Sequence, residues 1–492
     1  MRSTALIAAL LAASPCVCAA ETLAEAISLA YQTNPSLRAQ RAALQSADES
    51  YVQAQASFGP QVSVTAQYGY QDAQVQHPAS LFVRGGATDY RAGNGTADLS
   101  AVQPVWTGGA LKAQARSAGA GVLAAREHLR FTESQVLQNV VNAYIDVRRD
   151  REIVRVLQEE VTALSRDFEE TRAKGKLGAL TRTDVAQSEA RLLSAQAQLS
   201  LAQGKLNGSN AEYLNAVGQN PGELAPEPDL PGLPKDADKA FDLAEHNNPQ
   251  LGEAVQSERA AREKVNQAKA ANAATVQLKF DASIIPTAPY LERQYDQSVS
   301  VAAVVTKPLF TSGLNSSKIR QALDDDNRAQ LVVENARRGV VQLVAQAWDQ
   351  WISTQNALTI EQRQLDAEAV AVQGNRAEER VGLRTTIDLL NAEQELANTR
   401  VTVIQAKRDA YAAKASLLAA MGVLEARYLT PGIDLYSPEQ ALRRSEPAGL
   451  GGWSGAVSGL DTIAAPRTPA PQVSPTGSGT GRPDTAVPTP AK

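Results

Sequence analysis

The chain has 492 residues, of which 5% are aromatic and 21% are charged, and its formal net charge is −5. Its long segments are dominated by Ala, Gln, Glu, Arg, Leu and Val, a composition typical of long helices. A mildly acidic chain without a basic cluster excludes the electrostatic footprint of a nucleic-acid-binding protein, so we expect no nucleic-acid partner.

Residues 1–20 have the pattern of a secretory signal peptide, with Arg2 at the start, an apolar stretch and a small-residue cleavage site at Cys18-Ala19-Ala20. Both cysteines lie in this leader, so the mature chain is expected to have no disulfide and no thiol. The alternative, lipidation of a leader cysteine, lacks the sequence box that lipidation uses. No later stretch of about 18 apolar residues appears, which excludes a spanning helix. Passage through a membrane would therefore require a closed barrel of strands.

The mature sequence is interpreted as an internal duplication, with a first repeat at residues 21–218 and a second at 238–436. Asn34-Pro35-x-Leu37 recurs 214 residues later as Asn248-Pro249-x-Leu251. Later landmarks recur 204 residues on, such as Pro104, Trp106 and Gly178 with Pro308, Phe310 and Gly382. The ten-residue difference predicts a longer loop in the first repeat. Between the repeats, residues 219–237 are rich in proline and read as an extended connector.

Each repeat predicts the same elements in the same order. A helix of moderate length, at about 22–57 and 238–273, leads into a segment of period-two alternation that predicts a β-hairpin, at about 61–106 and 276–310. A Gly-rich stretch from Arg84 to Gly95 is predicted to be the loop of the first hairpin. In both hairpins one face is apolar and the other polar or small, as expected where one face meets lipid and the other a watery lumen.

A long helix pair follows each hairpin. No proline interrupts residues 109–174, which predict a rod of about 100 Å, and the return helices are predicted at 181–218 and 385–421. Apolar residues at a spacing of seven predict a coiled-coil seam in both repeats: Val140, Val147, Val154, Val161 and Phe168, then Val344, Trp351, Leu358, Leu365 and Val372.

Four strands cannot close a barrel around a lumen, and an open sheet in lipid would leave two unpaired edges. The predicted fold class is therefore an α+β membrane protein that assembles with copies of itself. Three copies would supply a trimeric, 12-stranded outer-membrane β-barrel, with four strands per chain, continuous with a long periplasmic α-helical coiled-coil barrel.

The repeated Asn-Pro-x-Leu, the Pro-x-aromatic-Thr junctions and the Gly-x-x-Thr-x-x-Asp turns at Gly178–Asp184 and Gly382–Asp388 together resemble the TolC family of outer-membrane efflux and type I secretion proteins. The likeness covers about residues 22–436. It implies a homotrimer whose helical tunnel is closed at its periplasmic tip and opens by untwisting. It also implies two partners: a periplasmic adaptor (membrane fusion) protein, and an inner-membrane pump of the ABC or proton-driven RND type.

The resemblance assigns an aperture to the turns of the helix pairs. In the second repeat Arg384, Asp388 and Asn391 match a family pattern of Arg followed by two Asp, so only one of two acidic rings is kept. A ring of Asp388 carboxylates would favour cations. Asp184 matches a residue that braces the closed state, with Arg384 as its expected partner, while Glu379 replaces the family's tyrosine. The alternative is that Asp184 and Asp388 only complete capping boxes with Thr181 and Thr385.

Other functions find little support in the residues. The three histidines are scattered without metal-binding spacing, and no nucleophile elbow, P-loop or dinucleotide fingerprint is present, so we predict no catalysis, metal or cofactor. The alternative that stays open is a soluble periplasmic coiled-coil adaptor or scaffold protein of a transport complex. Residues 445–492 are rich in Pro, Gly, Ser and Thr and predict a disordered tail.

Overall fold

The structure, a computed structural model, describes residues 20–79, 82, 85–178, 180–287, 295–430, 432–440, 455–457 and 459. The order helix, helix, strand, strand, long helix, long helix occurs twice in it. The first set is α1 Leu23–Thr33, α2 Pro35–Ala56, β1 Gln61–His77, β2 Gly86–Trp106, α3 Ala110–Lys176 and α4 Arg182–Val217. The second is α5 Ala237–Asn247, α6 Pro249–Ala270, β3 Thr275–Pro286, β4 Tyr295–Thr306, α7 Leu314–Arg380 and α8 Thr386–Ala420, before the short α9 Ala426–Leu429.

The moderate helix predicted at the start of each repeat is two helices, which corrects the prediction. Asn34 leaves the helical conformation, with φ −58° and ψ 124°, because a residue before proline avoids it. The Asn34 Oδ1 atom then caps α2 by accepting hydrogen bonds from the backbone amides of Ser36 and Leu37, at 3.0 and 3.3 Å. Asn248 caps α6 in the same way, and its Nδ2 donates to the Ala420 carbonyl at 2.9 Å, which ties α6 to the end of α8.

The four strands form one antiparallel sheet in the order β1-β2-β3-β4. In two neighbouring rows its register aligns similar residues across all four strands. One row is apolar, consisting of Val64, Leu99, Ala282 and Val299. The next row, on the opposite face, is polar, consisting of Ser63, Ser100, Asp281 and Ser300. The sheet therefore has the two contrasting faces that the alternation predicted.

From Gly86 onward, the Gly-rich stretch of the first hairpin is strand rather than loop, and Arg84 lies outside the described residues. Gly93, Asn94 and Gly95 pair with Tyr70, Gly69 and Tyr68 inside the β1–β2 ladder. The Tyr68 ring lies over Gly93, where a Cβ would stand 2.3 Å from the tyrosine hydroxyl, so a larger residue there would displace the exposed ring. Eight residues separate the strands in each hairpin, and the first hairpin has longer strands of 17 and 21 residues against 12 and 12. The predicted longer loop is thus wrong.

The rods agree with prediction. Helices α3 and α7 have 67 residues each, about 100 Å, and both begin after a glycine of positive φ, Gly109 and Gly313. Every residue of the two predicted seams is buried or half-buried. Among the described residues, none of the helices has an apolar stretch long enough to span a bilayer.

The connector crosses the middle of the rods and is held there by buried tyrosines. The Tyr144 hydroxyl lies at hydrogen-bond distance from two backbone carbonyls, that of Glu21 at 2.9 Å and that of Ala225 at 2.7 Å. The Tyr411 hydroxyl donates to the Pro228 carbonyl at 2.9 Å. Burial raises the pKa of Tyr144 to about 12. The chain start and the connector are therefore fixed to α3 and α8 at one level.

A buried charge network at the same level joins α3, α4 and α8. Arg149 pairs with Asp146 at 2.6 Å and with Asp150 at 2.7 Å, and Arg408 of α8 pairs with Asp146 at 2.8 Å. The Ser209 hydroxyl of α4 donates to Asp150 at 2.5 Å. Burial works to raise the pKa of Asp150, but the hydrogen bonds from Arg149 and Ser209 outweigh it and hold that pKa below its usual value.

Two predicted segments lie wholly or mostly outside the described residues. Residues 1–19 of the predicted signal peptide, 1–20, lie outside the described residues, and so does most of the predicted tail, 445–492. Residues 455–457 are helical, and the Val457 side chain is buried in a small apolar cluster with Ala54, Phe58 and Ala115. This short piece of the tail therefore packs against α2 and α3, whereas the disorder of the rest stays a prediction.

Candidate functional site

The candidate site lies where each pair of long helices turns. The turns need glycine, because Gly178 and Gly382 have φ of +77° and +80°. In the second turn the backbone closes with a hydrogen bond from the Leu383 amide to the Glu378 carbonyl at 2.9 Å. Helices α4 and α8 then begin at matching positions, directly after Thr181 and Thr385.

Asp184 and Asp388 complete identical capping boxes. The hydroxyl of Thr181 donates to the Asp184 carboxylate at 2.8 Å, and that of Thr385 donates to Asp388 at 2.8 Å. In return each threonine hydroxyl accepts from the aspartate amide at 3.2 Å. These hydrogen bonds, first from the hydroxyl and then from the backbone amide of the threonine, lower the pKa of both aspartates, so they are carboxylates at neutral pH. Asp184 and Asp388 are therefore both negatively charged while they cap α4 and α8.

Arg384 pairs with Glu378 at 2.9 Å rather than with Asp184. The expected Asp184–Arg384 contact is therefore not formed within this chain, because the tight turn brings Arg384 back to the end of its own helix α7. The positive charge of Arg384 also contributes to the lowered pKa of Asp388. A pairing of Arg384 with Asp184 of a neighbouring subunit stays a prediction.

Asn391 forms a contact that the sequence did not predict. The Arg191 guanidinium of α4 donates to the Asn391 side-chain oxygen of α8, so it joins the two helix pairs near their ends. Two residues further along α8, Glu393 pairs with Arg376 of α7. Nothing in the sequence spacing signals the Arg191–Asn391 contact, since it depends on how the two pairs pack.

Glu379 lies in an acidic region between α3 and α7. Burial, reinforced by the carboxylates of Glu393 and Glu170, raises the pKa of Asp167, while Arg376 offsets part of this effect and Glu379 adds to it. Glu379 therefore adds a negative charge that disfavours ionisation of Asp167.

Apolar side chains are exposed at the very ends of the pairs. Leu177, Val381 and Leu383 are each more than two-thirds exposed, at 86%, 70% and 76%. In the part of the chain that the structure describes, no group of three or more His, Cys, Asp or Glu side chains is placed to hold a metal ion. The ends of the helix pairs thus combine carboxylates that cap helices, a few polar contacts between helices, and exposed apolar side chains.

Comparison with known proteins assigns the family. The sequence pattern of the family described as outer membrane efflux protein matches residues 26–219 and 240–423. The chain belongs to this family. This confirms the resemblance to TolC-type channel proteins and the predicted location in the cell outer membrane with a helical part in the periplasm, and it argues against the soluble adaptor.

Individual relatives match most of this chain. The chain is 29% identical over 420 residues to outer membrane efflux protein BepC of Brucella suis biovar 1, covering 85% of this chain and 89% of the relative. It is 25% identical to outer membrane protein TolC of Escherichia coli K12, covering 77% and 79%. These relatives are outer membrane proteins and not enzymes, which confirms the prediction of a non-enzymatic protein.

Solved structures show the same fold. The outer membrane protein VceC from Vibrio cholerae superposes with a TM-score of 0.70 at 20% identity, covering 81% of this chain and 96% of VceC. A CusC structure also gives 0.70, at 19% identity, covering 81% and 92%. The predicted class, a mostly helical channel protein with a small sheet, is confirmed at this level.

Proposed function

We propose that three copies of this chain form the outer-membrane exit duct of a tripartite efflux or type I secretion system. The observation that carries the proposal is the sheet. It contains four strands, and along β1 and β4 its two outer edges have no strand partner within the described chain. Unpaired backbone groups in lipid cost several kcal/mol each, and pairing β1 of one copy with β4 of the next removes both edges.

The two faces of the sheet support this closure. Val64, Val299 and Val301 are more than 70% exposed in the single chain and lie on the same face. A face of that kind is expected to meet hydrocarbon, whereas the opposite row of serines and Asp281 is suited to a water-filled interior. Three sheets give twelve strands, and the repeated element order supports an origin by internal duplication.

The helix ends are proposed to be the gate. The Arg191–Asn391 contact joins the α3/α4 pair to the α7/α8 pair, and two pairs that must separate need few such links. Asp388 remains ionised, so three copies would place three carboxylates around an axis at the tip. Asp184, Arg384 and Glu379 are proposed to contribute to the closed state through contacts between subunits.

The partners are proposed to be a periplasmic adaptor and an inner-membrane pump of the ABC or RND type. Exposed Leu177, Val381 and Leu383 would be unfavourable at tips that ended in water, and an adaptor covering them would bury that surface. Relatives named for efflux and for alkaline protease secretion support both kinds of system.

Ion conduction through a planar lipid bilayer tests the duct and the gate together. We expect the purified protein to form a cation-preferring pore, and we expect Asp388→Ala to reduce both the cation preference and the block by trivalent cations. Asp325→Ala is the matched control, because Asp325 is an exposed carboxylate near the start of α7, at the opposite end of that helix from the turn. A wild-type protein that forms no pore would contradict the duct, and equal selectivity in the Asp388 variant would contradict the carboxylate ring alone.

A further inference from the structure

A cavity of about 380 Å³ lies between the two helix pairs, above their turns. Its walls include Val156 of α3, Ala195 of α4, Val372 of α7 and Leu390 of α8, and all four side chains are buried. The space is within the range of about 300–1,000 Å³ that small-molecule sites occupy, and such sites are typically apolar with a few polar groups.

Most charged groups at this cavity already have partners. Arg191 donates to Asn391, Arg376 pairs with Glu393, and Glu159 pairs with Arg155 at 2.6 Å. The arginines are therefore committed to neighbouring side chains, apart from Arg400, which is exposed at the edge. An anionic ligand would have to break one of these contacts to find a cation inside the cavity.

Glu160 is a carboxylate at the cavity that has no such partner. It lines the cavity and is only partly accessible to water, and within the described residues it has neither a hydrogen bond nor an ion pair. Burial raises its pKa. A carboxylate in this position gains from a cation that brings its own apolar surface.

We propose that this cavity binds a small organic monocation with an apolar body, whose ammonium or amidinium group pairs with Glu160. The apolar body would fill the space between Val156, Ala195, Val372 and Leu390. One carboxylate is too few ligands for a metal ion, since Ca²⁺ and Mg²⁺ take six or more oxygens. Apolar walls around a single free carboxylate instead fit an amphiphilic amine.

Such a ligand would hold the two helix pairs together. Its site is formed by α3 and α4 on one side and by α7 and α8 on the other, so separation of the pairs would dismantle it. A ligand that binds one arrangement and not another shifts the population toward the first. Compounds of this class would therefore stabilise the arrangement of the helix pairs described above.

Binding of 9-aminoacridine, a planar aromatic monocation at neutral pH, tests the proposal on the purified full-length protein by fluorescence titration. We expect saturable binding to the wild type, weakened at least about tenfold by Glu160→Gln, because a hydrogen bond to a charged group contributes about 1.5–3 kcal/mol. Glu169→Gln removes the same charge from an exposed position of α3 and is expected to leave binding unchanged. Acridine-9-carboxylate, the anionic analogue, is expected not to bind.

A second variant tests the space rather than the charge. Ala369→Phe introduces a ring at a half-buried position of the cavity wall and is expected to abolish binding while the protein stays folded. Equal affinity in wild type and Glu160→Gln would overturn the proposal, as would equal binding of the anionic analogue or no saturable binding of 9-aminoacridine to the wild type. This measurement needs no pore, so its result is independent of the conductance experiment.

Discussion

Helices α3 and α7 have the same length and occupy the same place in the two repeats, yet they differ greatly in burial. Helix α3 buries 19 of its 67 residues and α7 only six. The difference arises because α3 packs against α1, α2, α4, α6 and α8, whereas α7 packs against α5, α6 and α8. Helix α3 is thus the centre of the chain, and α7 presents much of its surface to something else.

The exposed surface of α7 is apolar where α3 is polar. Leu331, Val332, Leu343 and Val370 are all exposed, and the residues 204 positions earlier are Glu127, His128, Asn139 and Arg166. Burying exposed apolar side chains of this kind against another surface is favourable. We propose that this exposed apolar surface of the second repeat contacts a neighbouring subunit of the proposed trimer.

Removing the buried charge network should give the largest effect. Asp150→Ala removes the acceptor of the Ser209 hydroxyl and one of the two carboxylates that pair with Arg149, and breaking a buried pair costs about 3–5 kcal/mol. We expect a large fall in Tm, measured by circular dichroism. The lowered pKa of Asp150 means that its contribution is complete above the unfolded-state pKa and is lost as the pH falls through the folded-state pKa.

Asp325→Ala on α7 is the control for this prediction. Asp325 is exposed and forms a surface ion pair with Arg328 at 3.4 Å. Surface ion pairs contribute little to stability, so the loss of Asp325 should change Tm very little. Equal destabilisation by the two variants would break the distinction between a packed α3 and an open α7.

Charging the α7 surface should weaken the trimer without unfolding the chain. Leu331→Glu installs the residue that α3 has at the equivalent position, so the helix should tolerate it. A buried leucine contributes about 1.5–3 kcal/mol, and we therefore expect the dissociation constant of the trimer to rise at least about tenfold. Light scattering after size-exclusion chromatography measures the change. Arg328→Glu, at an exposed polar position of the same helix, should leave the trimer intact.

The asymmetry between α3 and α7 was only partly readable from the sequence. Heptad spacing predicted both seams, since each rod must cover one apolar stripe, and the boundaries of α4 and α8 agree with prediction to within a residue. The seam does not report what covers the other faces. That depends on α2, α6 and the connector, whose packing is long-range.

Two local errors have local causes. The Asn34-Pro35 pair was used as a mark of duplication, although an Asn cap followed by proline is itself a helix start. The Gly-rich segment was assigned to a loop because glycine disfavours strands, but the Tyr68 ring covers Gly93 and compensates for its missing side chain.

The candidate site shows a further limit. The capping boxes of Asp184 and Asp388 follow from Thr-x-x-Asp spacing, and both formed. The contacts of Arg384 with Glu378 and of Arg191 with Asn391 depend on the path of the turn and on the packing of the two pairs. Neither the path of the turn nor the packing of the two helix pairs can be read from the spacing of residues in the sequence.

A smaller effect is expected from the buried carboxylate on the covered side of α3. Asp48 of α2 is 1% exposed, and neither of its oxygens accepts a hydrogen bond. Burial raises its pKa, although Arg126 of α3 attracts it. We expect Asp48→Asn to stabilise the protein by about 1 kcal/mol at neutral pH, measured as a rise in Tm.

The pH dependence gives the control for Asp48. Because its folded-state pKa is raised, the cost of the charge is absent below the unfolded-state pKa and grows as the pH rises toward the folded-state pKa. The advantage of the Asn variant should therefore shrink in acid. An advantage that is independent of pH would mean that packing, and not charge, is responsible.

Changes in the tail, which contributes one further packing contact to α3, should have the smallest effect on stability. Val457 packs on Phe58 and Ala115, but only residues 455–457 and 459 of the predicted tail are described, and this contact is small. We expect deletion of residues 446–492 to leave the trimer intact and to cost less than about 1 kcal/mol, and Val457→Ser in the full chain to cost the same. Loss of the trimer on truncation would show that the tail holds subunits together. A larger cost for the deletion than for Val457→Ser would mean that further tail residues cover α3.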